Sequence, residues 1–355
     1  MSDDNLPFLY GRPVRGEHFT GREAETERLR RNLLEGVHTV LTAPRRLGKT
    51  SLVGKVLGSI TADPSIRVAK LSALGCRTPS EFLEAYASAV TRAAPDAIYP
   101  DAPLPFDAGA NVDDVLNLPE ALAAREGFRM VVFIDECQRI AALPDAPDFL
   151  ERLRTAWCGH KHASYCLVGT SAMEAMFRDA DRTFHGFGDV IRLQPIPKEQ
   201  WVRFIVGRFD ATGKRISEAH AAEIAESVRR VSGCVQHLAA YAWAFTDGTV
   251  TDGDIENAKE YLISTYRTNF RVMTAGLSAR QRNLLLAVAD GTGGGCSDQR
   301  TICRYRLGPS STVARSKAAL LGKDLLLLRP DGSLGVADPL LEMWLKTEYR
   351  PTVNL

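Results

Sequence analysis

Apolar and polar residues follow two different periods along the first 196 positions of the chain. Short, nearly continuous apolar runs are typical of buried strands, and amphipathic stretches with helical spacing lie between them. Strands that alternate with helices form a mostly parallel sheet covered on both faces, so this pattern predicts an α/β fold. The predicted strands are residues 38–42, 66–71, 128–136, 164–171 and 189–196.

Two helices of this region have predicted starting points. Residues 22–36 form one amphipathic helix, for which Thr20 is the expected N-cap. Residues 79–93 form another, with Ser80 as the expected cap. Residues 94–111 follow with four prolines, and we expect them to form an excursion on the surface.

The pattern changes after residue 196. Residues 197–268 show helical periodicity throughout and no convincing strand. Residues 269–355 begin with three helices, which are followed by a hairpin with Asp331 and Gly332 at its turn. Three helices and a two-stranded wing are typical of a winged helix-turn-helix. The sequence therefore predicts three parts, with boundaries at 1–196, 197–268 and 269–355.

Composition and charge are those of an ordinary globular protein, with 45% hydrophobic and 25% charged residues and a net charge of +1. No chain-wide basic field points to nucleic acid, and no apolar stretch predicts a membrane span. The seven cysteines include no C-x-x-C pair, so we expect reduced thiols in a cytoplasmic protein. Cys158, His160 and His162 lack the spacing of a zinc site, and we expect exposed histidines in a loop there.

The segment TAPRRLGKTSL lies between the first predicted strand and the next helix. It resembles the phosphate-binding pattern G-x-x-x-x-G-K-[ST], except that Ala43 replaces the first glycine. Alanine is tolerated there if its φ is negative, and Pro44 restricts it to extended geometry. Gly48 would let the backbone approach phosphates closely. Lys49 would reach the β- and γ-phosphates, and Thr50 would offer its hydroxyl to Mg²⁺.

A second chemical element is the apolar strand that ends in Asp135 and Glu136. Asp135 would hold the Mg²⁺ shell, and Glu136 would polarise the attacking water. The fourth strand ends near Thr170 and Ser171 and is expected between the two motif strands. Either hydroxyl could touch the γ-phosphate or its water, and Ser171 could equally cap a helix. No N-K-x-D motif of a GTPase is present.

In combination, these motifs resemble those of the archaeal-type ATPases of the STAND class, which are relatives of AAA+ proteins. The segment FTGRE resembles the family's N-terminal F-x-G-R-E, and FIDECQRI resembles its Walker B strand. VADPLLEMWL resembles the D-P-x-x-x-x-W-L that closes its winged helix. The resemblance covers nearly the whole chain. It implies an α/β fold with a P-loop NTPase parallel sheet, a helical lid and a C-terminal winged helix, with ATP or ADP and Mg²⁺ as cofactors.

The resemblance also extends the set of predicted site residues. The predicted catalytic residues are Lys49, Asp135 and Glu136, and the predicted metal ligands are Thr50 and Asp135. The predicted nucleotide-binding residues are Phe19, Arg22, Pro44, Arg45, Arg46, Leu47, Gly48, Lys49, Thr50, Ser51 and Thr170.

Two departures from the relatives concern the completion of the site. Gly233-Cys234-Val235 stands where relatives often have Gly-x-Pro in the lid, so the lid contact is an open question. Gly186-Phe187 stands where many have Gly-Arg, so the usual arginine finger is missing. Arg178, Arg182 and Arg192 are nearby substitutes, but for each of them we favour the role of a surface or ion-paired arginine.

Local charge in the winged helix raises the question of DNA. Residues 279–335 carry nine Lys or Arg and four Asp, a local charge of +5. Arg315 and Lys317 would lie on the recognition helix and Arg329 at the wing, as in a DNA-binding surface. The resemblance favours a different interpretation, in which this is a solvated face on a winged helix that packs against the ATPase and regulates it.

Three functional hypotheses follow. The first is a slow ATPase that acts as a nucleotide-dependent switch toward an unidentified protein partner, with self-association that depends on nucleotide. The second is a DNA-binding regulator or loader controlled by ATP. The third is a nucleotide-bound scaffold that does not hydrolyse ATP, which the missing Gly-Arg would explain.

Overall fold

The structure is a computed structural model that describes residues 6–97, 111–177, 183–296, 298–329 and 331–350. Most of the predicted excursion at 94–111 lies outside the described residues, as do Arg178 and Arg182. The chain divides into two compact units. The first, here called the sheet unit, comprises Arg22–Ala43 and Lys49–Gln194; the second, here called the helical unit, comprises Met1–Gly21, Pro44–Gly48 and Pro195–Leu355.

The sheet unit is an α/β layer structure around one parallel sheet. Its elements in chain order are α1 (Glu23–Glu35), β1 (Thr39–Thr42), α2 (Lys49–Ile60), β2 (Ile66–Ser72), α3 (Pro79–Ala93), α4 (Val112–Glu126), β3 (Arg129–Asp135), α5 (Ala146–Cys158), β4 (Ala163–Gly169) and β5 (Asp189–Arg192). The strand order is β2-β3-β4-β1-β5, and every pairing is parallel.

This order confirms that the fourth predicted strand lies between the two strands that carry motifs. Thr42 at the end of β1 is level with Gly169 at the end of β4, and Ile134 near the end of β3 is level with Leu167. All seven positions of β4 are buried, as expected for a central strand covered on both faces. The carboxyl ends of β1, β3 and β4 therefore lie side by side at one edge of the sheet.

Two predicted helix caps are wrong, and the structure gives the physical reason for one of them. Helix α3 is capped by Thr78, whose hydroxyl accepts from Glu81 N, rather than by Ser80. Pro79 occupies the first helical position, where its missing N–H costs nothing, and this moves the cap back to Thr78. Helix α1 is preceded by Arg22 in the left-handed region, at φ 72°, rather than by Thr20.

Helix α4 was not predicted from the sequence. It contains Pro119, which normally ends a helix because it lacks an N–H and clashes with the preceding turn. Val115, Leu116 and Leu122 are buried in the core of the sheet unit. Burial of this apolar face thus outweighs the local cost of the proline.

The helical unit contains the remaining elements. In chain order they are α6 (Lys198–Asp210), α7 (Glu218–Ser227), α8 (Ser232–Phe245), α9 (Asp252–Ala275), α10 (Ala279–Ala287), α11 (Gln299–Arg304), α12 (Ser310–Gly322), β6 (Leu326–Leu328), β7 (Leu334–Val336) and α13 (Pro339–Trp344). Strands β6 and β7 pair antiparallel, which confirms the predicted hairpin.

Helix α9 runs through residue 268, where the sequence predicted the boundary between lid and winged helix. It begins with a capping box, in which Thr251 Oγ1 accepts from Asp254 N and Asp254 Oδ2 accepts from Thr251 N, and it continues to Ala275. No glycine or proline interrupts it between Asp254 and Ala275. Among the described residues, no helix is long and apolar enough to cross a membrane.

Candidate functional site

Three predicted site residues lie along the carboxyl edge of the sheet. Lys49 begins α2, Asp135 ends β3, and Thr170 directly follows β4. The Lys49 side chain is 9% exposed, and its Nζ donates a hydrogen bond to Ala43 O at 2.9 Å. Thr50 is exposed beside it. The buried ammonium group of Lys49, the hydroxyl of Thr50 and the carboxylate of Asp135 are thus all present in the sheet unit, at the carboxyl edge of its sheet.

The electrostatics of Asp135 favour a cationic partner. Burial raises the pKa of Asp135, and the neighbouring charge of Glu136 raises it further, while the Glu136 N–H and Lys49 oppose this. The Glu136 N–H donates to Asp135 Oδ1 at 2.9 Å. A nearby metal ion stabilises the ionised form of a half-buried carboxyl of this kind, because its positive charge compensates for the hydration that the carboxylate loses on burial.

The donor set fits Mg²⁺ bound together with a nucleotide. Within the described parts of the chain, no group of three or more His, Cys, Asp or Glu side chains could hold a metal by itself. Mg²⁺ retains waters and takes only one or two protein ligands when phosphates supply the rest. The Asp135 carboxylate and the Thr50 hydroxyl are oxygen donors of the kind that could hold such an ion, so this edge suits a metal that arrives with phosphate.

Sequence reasoning missed Gln138. Its Nε2 donates to Glu136 Oε2 at 2.7 Å, and its Oε1 accepts from Thr170 N at 3.2 Å. One side chain therefore joins the predicted catalytic acid to the end of β4. Gln138 lies within the quoted segment FIDECQRI, and only its position two residues after Glu136 could have drawn notice to it.

The loop Pro44–Gly48 belongs to the helical unit, although Lys49 follows it directly in the chain. Leu47 is 2% exposed and Pro44 is partly buried. Gly48 has φ 96° and Arg46 has φ 64°, a left-handed conformation that is costly for arginine. Ala43, which precedes the loop, has no positive φ, so the alanine in place of the usual glycine is unstrained.

Both loop arginines pair with carboxylates of the winged-helix region. Arg46 Nη1 donates to Asp338 Oδ2 at 3.0 Å, and its Cζ lies 4.6 Å from the ring centroid of Tyr266. Arg45 Nη2 lies 3.4 Å from Asp324 Oδ2. The sequence predicted both arginines as nucleotide-binding residues, but it did not indicate either aspartate as a partner.

The start of α8 contacts the same loop within the helical unit. Gly233 N donates to Arg46 O at 2.8 Å, and Ser232 Oγ donates to Leu47 O at 3.4 Å. A side chain at position 233 would bring its Cβ to 3.3 Å from Arg46 O, so glycine permits this close approach. Helix α8, which belongs to the predicted lid, therefore contacts the loop although Gly233-Cys234-Val235 lacks the proline of Gly-x-Pro.

The remaining predicted nucleotide residues lie in different surroundings. Arg22 is 7% exposed and forms an ion pair with Glu25 at 2.8 Å. Phe19 is partly buried and follows a short 3-10 turn, and Ser51 is partly buried in the first turn of α2. The carbonyl next to Phe19, that of His18, accepts a hydrogen bond from the α8 side chain of Gln236 at 2.9 Å.

Phe187, at the position of the missing arginine, is a core residue. It is 3% exposed, and its ring stacks on His38 with centroids 4.8 Å apart. Trp157 and Phe184 pack against it. Of the three arginines that were predicted as substitutes, Arg192 alone is described, and it is exposed at the end of β5.

The histidines of the CGHKH segment are bound to protein groups. His160 contacts the Tyr165 hydroxyl and the Asn117 Oδ1, each at 2.9 Å, and burial lowers the pKa of His160 to about 4. His162 pairs with Glu120 at 2.9 Å. The expectation of exposed histidines holds for His162 and is wrong for His160, which is partly buried.

The predicted DNA-facing residues lie on the expected elements. Arg315 is exposed on α12, and Lys317 is partly buried on the same helix. Arg329 is exposed directly after β6, and its N–H donates to Ser333 O across the hairpin turn at 2.8 Å.

Comparisons with known proteins agree with this architecture. A family model described as a probable winged helix domain matches residues 268–347. A search of curated proteins finds no match. Among solved structures, a Walker-type ATPase of Pyrococcus abyssi is similar, with 17% identity and a TM-score of 0.71, over 95% of this chain and 99% of that one.

Two proteins of Aeropyrum pernix are also similar in structure. The ORC2 protein, solved as ADPNP–ADP complexes, shares 17% identity with a TM-score of 0.60 over 99% of this chain and 97% of that one. The ORC1 protein, solved in complex with DNA, shares 16% identity with a TM-score of 0.55 over 95% of each chain. The fold is therefore that of a P-loop ATPase with a parallel sheet and a C-terminal winged helix.

Proposed function

We propose that this chain binds ATP or ADP with Mg²⁺, hydrolyses ATP slowly and acts as a nucleotide-dependent conformational switch of the STAND class. The observation that carries the proposal is the pairing of both loop arginines, Arg45 with Asp324 and Arg46 with Asp338. A loop with a phosphate-binding sequence is thereby held by carboxylates of the winged-helix region.

In this proposal the chemistry follows from the residues at the sheet edge. Lys49 would give up its bond to Ala43 O and bind the β- and γ-phosphates, and Thr50 and Asp135 would hold the metal. Bound Mg²⁺ would neutralise charge on the phosphate oxygens. Glu136 would accept a hydrogen bond from the attacking water and orient it toward the γ-phosphorus.

The switch follows from competition for the same guanidinium groups. Phosphate oxygens and carboxylates bind arginine in the same way, so phosphate at the loop competes with Asp338 for Arg46. If nucleotide and Asp338 compete, then each weakens the binding of the other by the same factor. The nucleotide state would thereby set whether the ion pair between Arg46 and Asp338 holds the winged-helix region to the loop. A protein partner or a second copy of the chain would bind the form in which this ion pair is broken.

Titration of ATP–Mg²⁺ into the wild type and Lys49→Ala tests nucleotide binding. We expect binding by the wild type, with about 2.7 kcal/mol of added stability at 100 times the Kd, and no binding by the variant. Lys55→Ala, an exposed position on α2, is the matched control. Equal ATP binding by Lys49→Ala would refute the site.

Turnover by Glu136→Gln separates the switch from a scaffold that does not hydrolyse ATP. We expect measurable phosphate release by the wild type and its loss in the variant, with ATP affinity retained. The scaffold hypothesis is based on Phe187, because this buried aromatic residue supplies no positive charge at the position where many relatives have an arginine. Absence of turnover in the wild type together with intact ATP binding would favour the scaffold.

A second candidate function is DNA binding controlled by ATP. The exposed Arg315 and Arg329 on a winged helix favour it, since such side chains contact phosphates and bases. The three-part division at 1–196, 197–268 and 269–355 remains part of both proposals.

A further inference from the structure

Gln138 follows the buried strand β3 by three residues, and its side chain lies between Glu136 and the end of the neighbouring strand β4. After β3 the chain turns at Glu136, which has φ 53°, and enters a 3-10 segment that spans Cys137–Ala142. Cys137 is 1% exposed and anchors this turn in the core. The turn directs the Gln138 side chain back across the ends of β3 and β4.

The orientation of the Gln138 amide is set by its neighbours. Thr170 N is a donor, so the Gln138 atom that faces it must be the acceptor Oε1. The Nε2 group must then face Glu136, where it donates to Oε2 at 2.7 Å. Thr170 is 1% exposed, so its N–H is shielded from water, and Gln138 Oε1 supplies an acceptor for it.

Gly169 provides the space for this arrangement. A Cβ at position 169 would lie 2.4 Å from Gln138 Oε1 and 2.9 Å from Met173 Sδ, which is closer than real Cβ atoms approach. The glycine at the end of β4 is therefore required for the amide to lie where it does. The end of β4, the amide and the carboxylate form one connected set.

We propose that Gln138 is a positioning residue for ATP hydrolysis, holding the Glu136 carboxylate in a fixed orientation from the end of β4. This inference rests on the proposed function, because it assigns Glu136 the task of orienting water. The hydrogen bond from Gln138 Nε2 restrains Oε2 of Glu136. The other carboxylate oxygen of Glu136, Oε1, would then accept the hydrogen bond from the attacking water. Gln138 acts only through Glu136 and contacts no reacting atom.

Two substitutions at position 138 separate positioning from simple support of the strand. Gln138→Glu keeps an acceptor for Thr170 N but loses the donor and places a second carboxylate beside Glu136. Gln138→Met keeps the length of the side chain and loses both hydrogen bonds. A positioning role predicts that kcat falls about 10- to 100-fold in both variants while ATP affinity is unchanged, since small misplacements of a reacting group have such effects.

A purely structural role predicts a different outcome, because Gln138→Glu would then retain nearly wild-type turnover. Gln299→Glu, which adds the same charge at an exposed position of α11, is the matched control. Thermal unfolding of each variant verifies that it is folded. Gly169→Ala should reproduce the kcat loss of Gln138→Met, because the added Cβ displaces the amide.

The decisive measurement is a double-mutant cycle with Glu136→Asp, which keeps a carboxylate and therefore measurable turnover but is too short to retain the bond from Gln138. If Gln138 acts through Glu136, Gln138→Met causes no further loss of turnover in the Glu136→Asp background. Additive losses, or wild-type turnover by Gln138→Glu, overturn the inference and leave the proposed function intact. A wild type that binds ATP without any turnover overturns both this inference and the proposed hydrolysis, whereas a wild type without ATP binding refutes the nucleotide site itself.

Discussion

The guanidinium group of Arg46 lies 3.0 Å from the carboxylate of Asp338, and this bond spans 292 positions of the sequence. It joins loop 44–48 to the first turn of α13, where Asp338 also caps the helix by accepting from Leu340 N at 2.9 Å. Asp338 therefore has two separable tasks, one as a helix cap and one as an ion-pair partner.

Asp338→Asn is expected to separate these tasks. Asparagine caps helices as well as aspartate does, so α13 keeps its cap while the charge on Arg46 loses its partner. We expect ATP to bind several-fold more tightly, because phosphate no longer competes with a carboxylate for Arg46. Stability should fall by less than about 1 kcal/mol, since the pair is partly exposed.

Isothermal titration with ATP–Mg²⁺ and chemical unfolding measure the two effects of Asp338→Asn. Asp247→Asn, at an exposed position of the helical unit, is the control for loss of one negative charge. Unchanged or weaker ATP binding by Asp338→Asn would argue against the proposed competition.

Truncation of Phe187 is expected to destabilise the sheet unit. The ring is 3% exposed and packs on His38, Phe184 and Trp157, so Phe187→Ala should cost about 3–5 kcal/mol in the free energy of unfolding. Phe245→Ala, at a 40% exposed ring, should cost much less. Denaturant unfolding compares the two, and a small effect at Phe187 would show that the ring is dispensable to the core.

The acid sensitivity of the protein should depend on Glu120. Burial alone raises the pKa of Glu120, but hydrogen bonds from His162 and from the backbone N–H groups of residues 161–163 outweigh it and lower the pKa to about 2, from an ordinary 4.5. Because the folded-state pKa is lowered, ionised Glu120 stabilises the fold above about pH 4.5, and this contribution disappears as the pH falls toward 2.

Glu120→Gln should therefore lower the melting temperature at pH 7 and have a smaller effect near pH 3. Thermal unfolding at several pH values provides the measurement. Glu126→Gln, at the end of the same helix, is the control. A difference between wild type and Glu120→Gln that does not change with pH would contradict this assignment.

If the winged helix binds DNA, removal of two charges on α12 should weaken that binding in a salt-dependent manner. For Arg315→Gln combined with Lys317→Gln, we expect the slope of log K against log salt to fall in magnitude by about 1.8, since each phosphate contact contributes about 0.9. Fluorescence anisotropy with duplex DNA measures the slope, and Arg92→Gln on α3 serves as control. DNA binding that ignores both residues would exclude α12 as the contact surface.

Much of the fold follows from local patterns. All five predicted strands of the sheet appear, with ends that differ by at most four residues, because continuous apolar runs between helices favour buried parallel strands. Helix α4 escaped prediction, because Pro119 conflicts locally with a helix that is stabilised only by its packing.

The sequence by itself determined the short motifs in which Lys49, Asp135 and Glu136 stand, because the spacing within each motif is set by a strand and a turn. Tertiary structure alone decided which distant residues contact these motifs. Gln138 reaches Thr170 because β3 and β4 are neighbours in the sheet, and Arg46 meets Asp338 because the chain folds residues 292 positions apart onto each other. Short-range periodicity contains no information on such contacts, since they depend on the packing of elements that are distant in the chain.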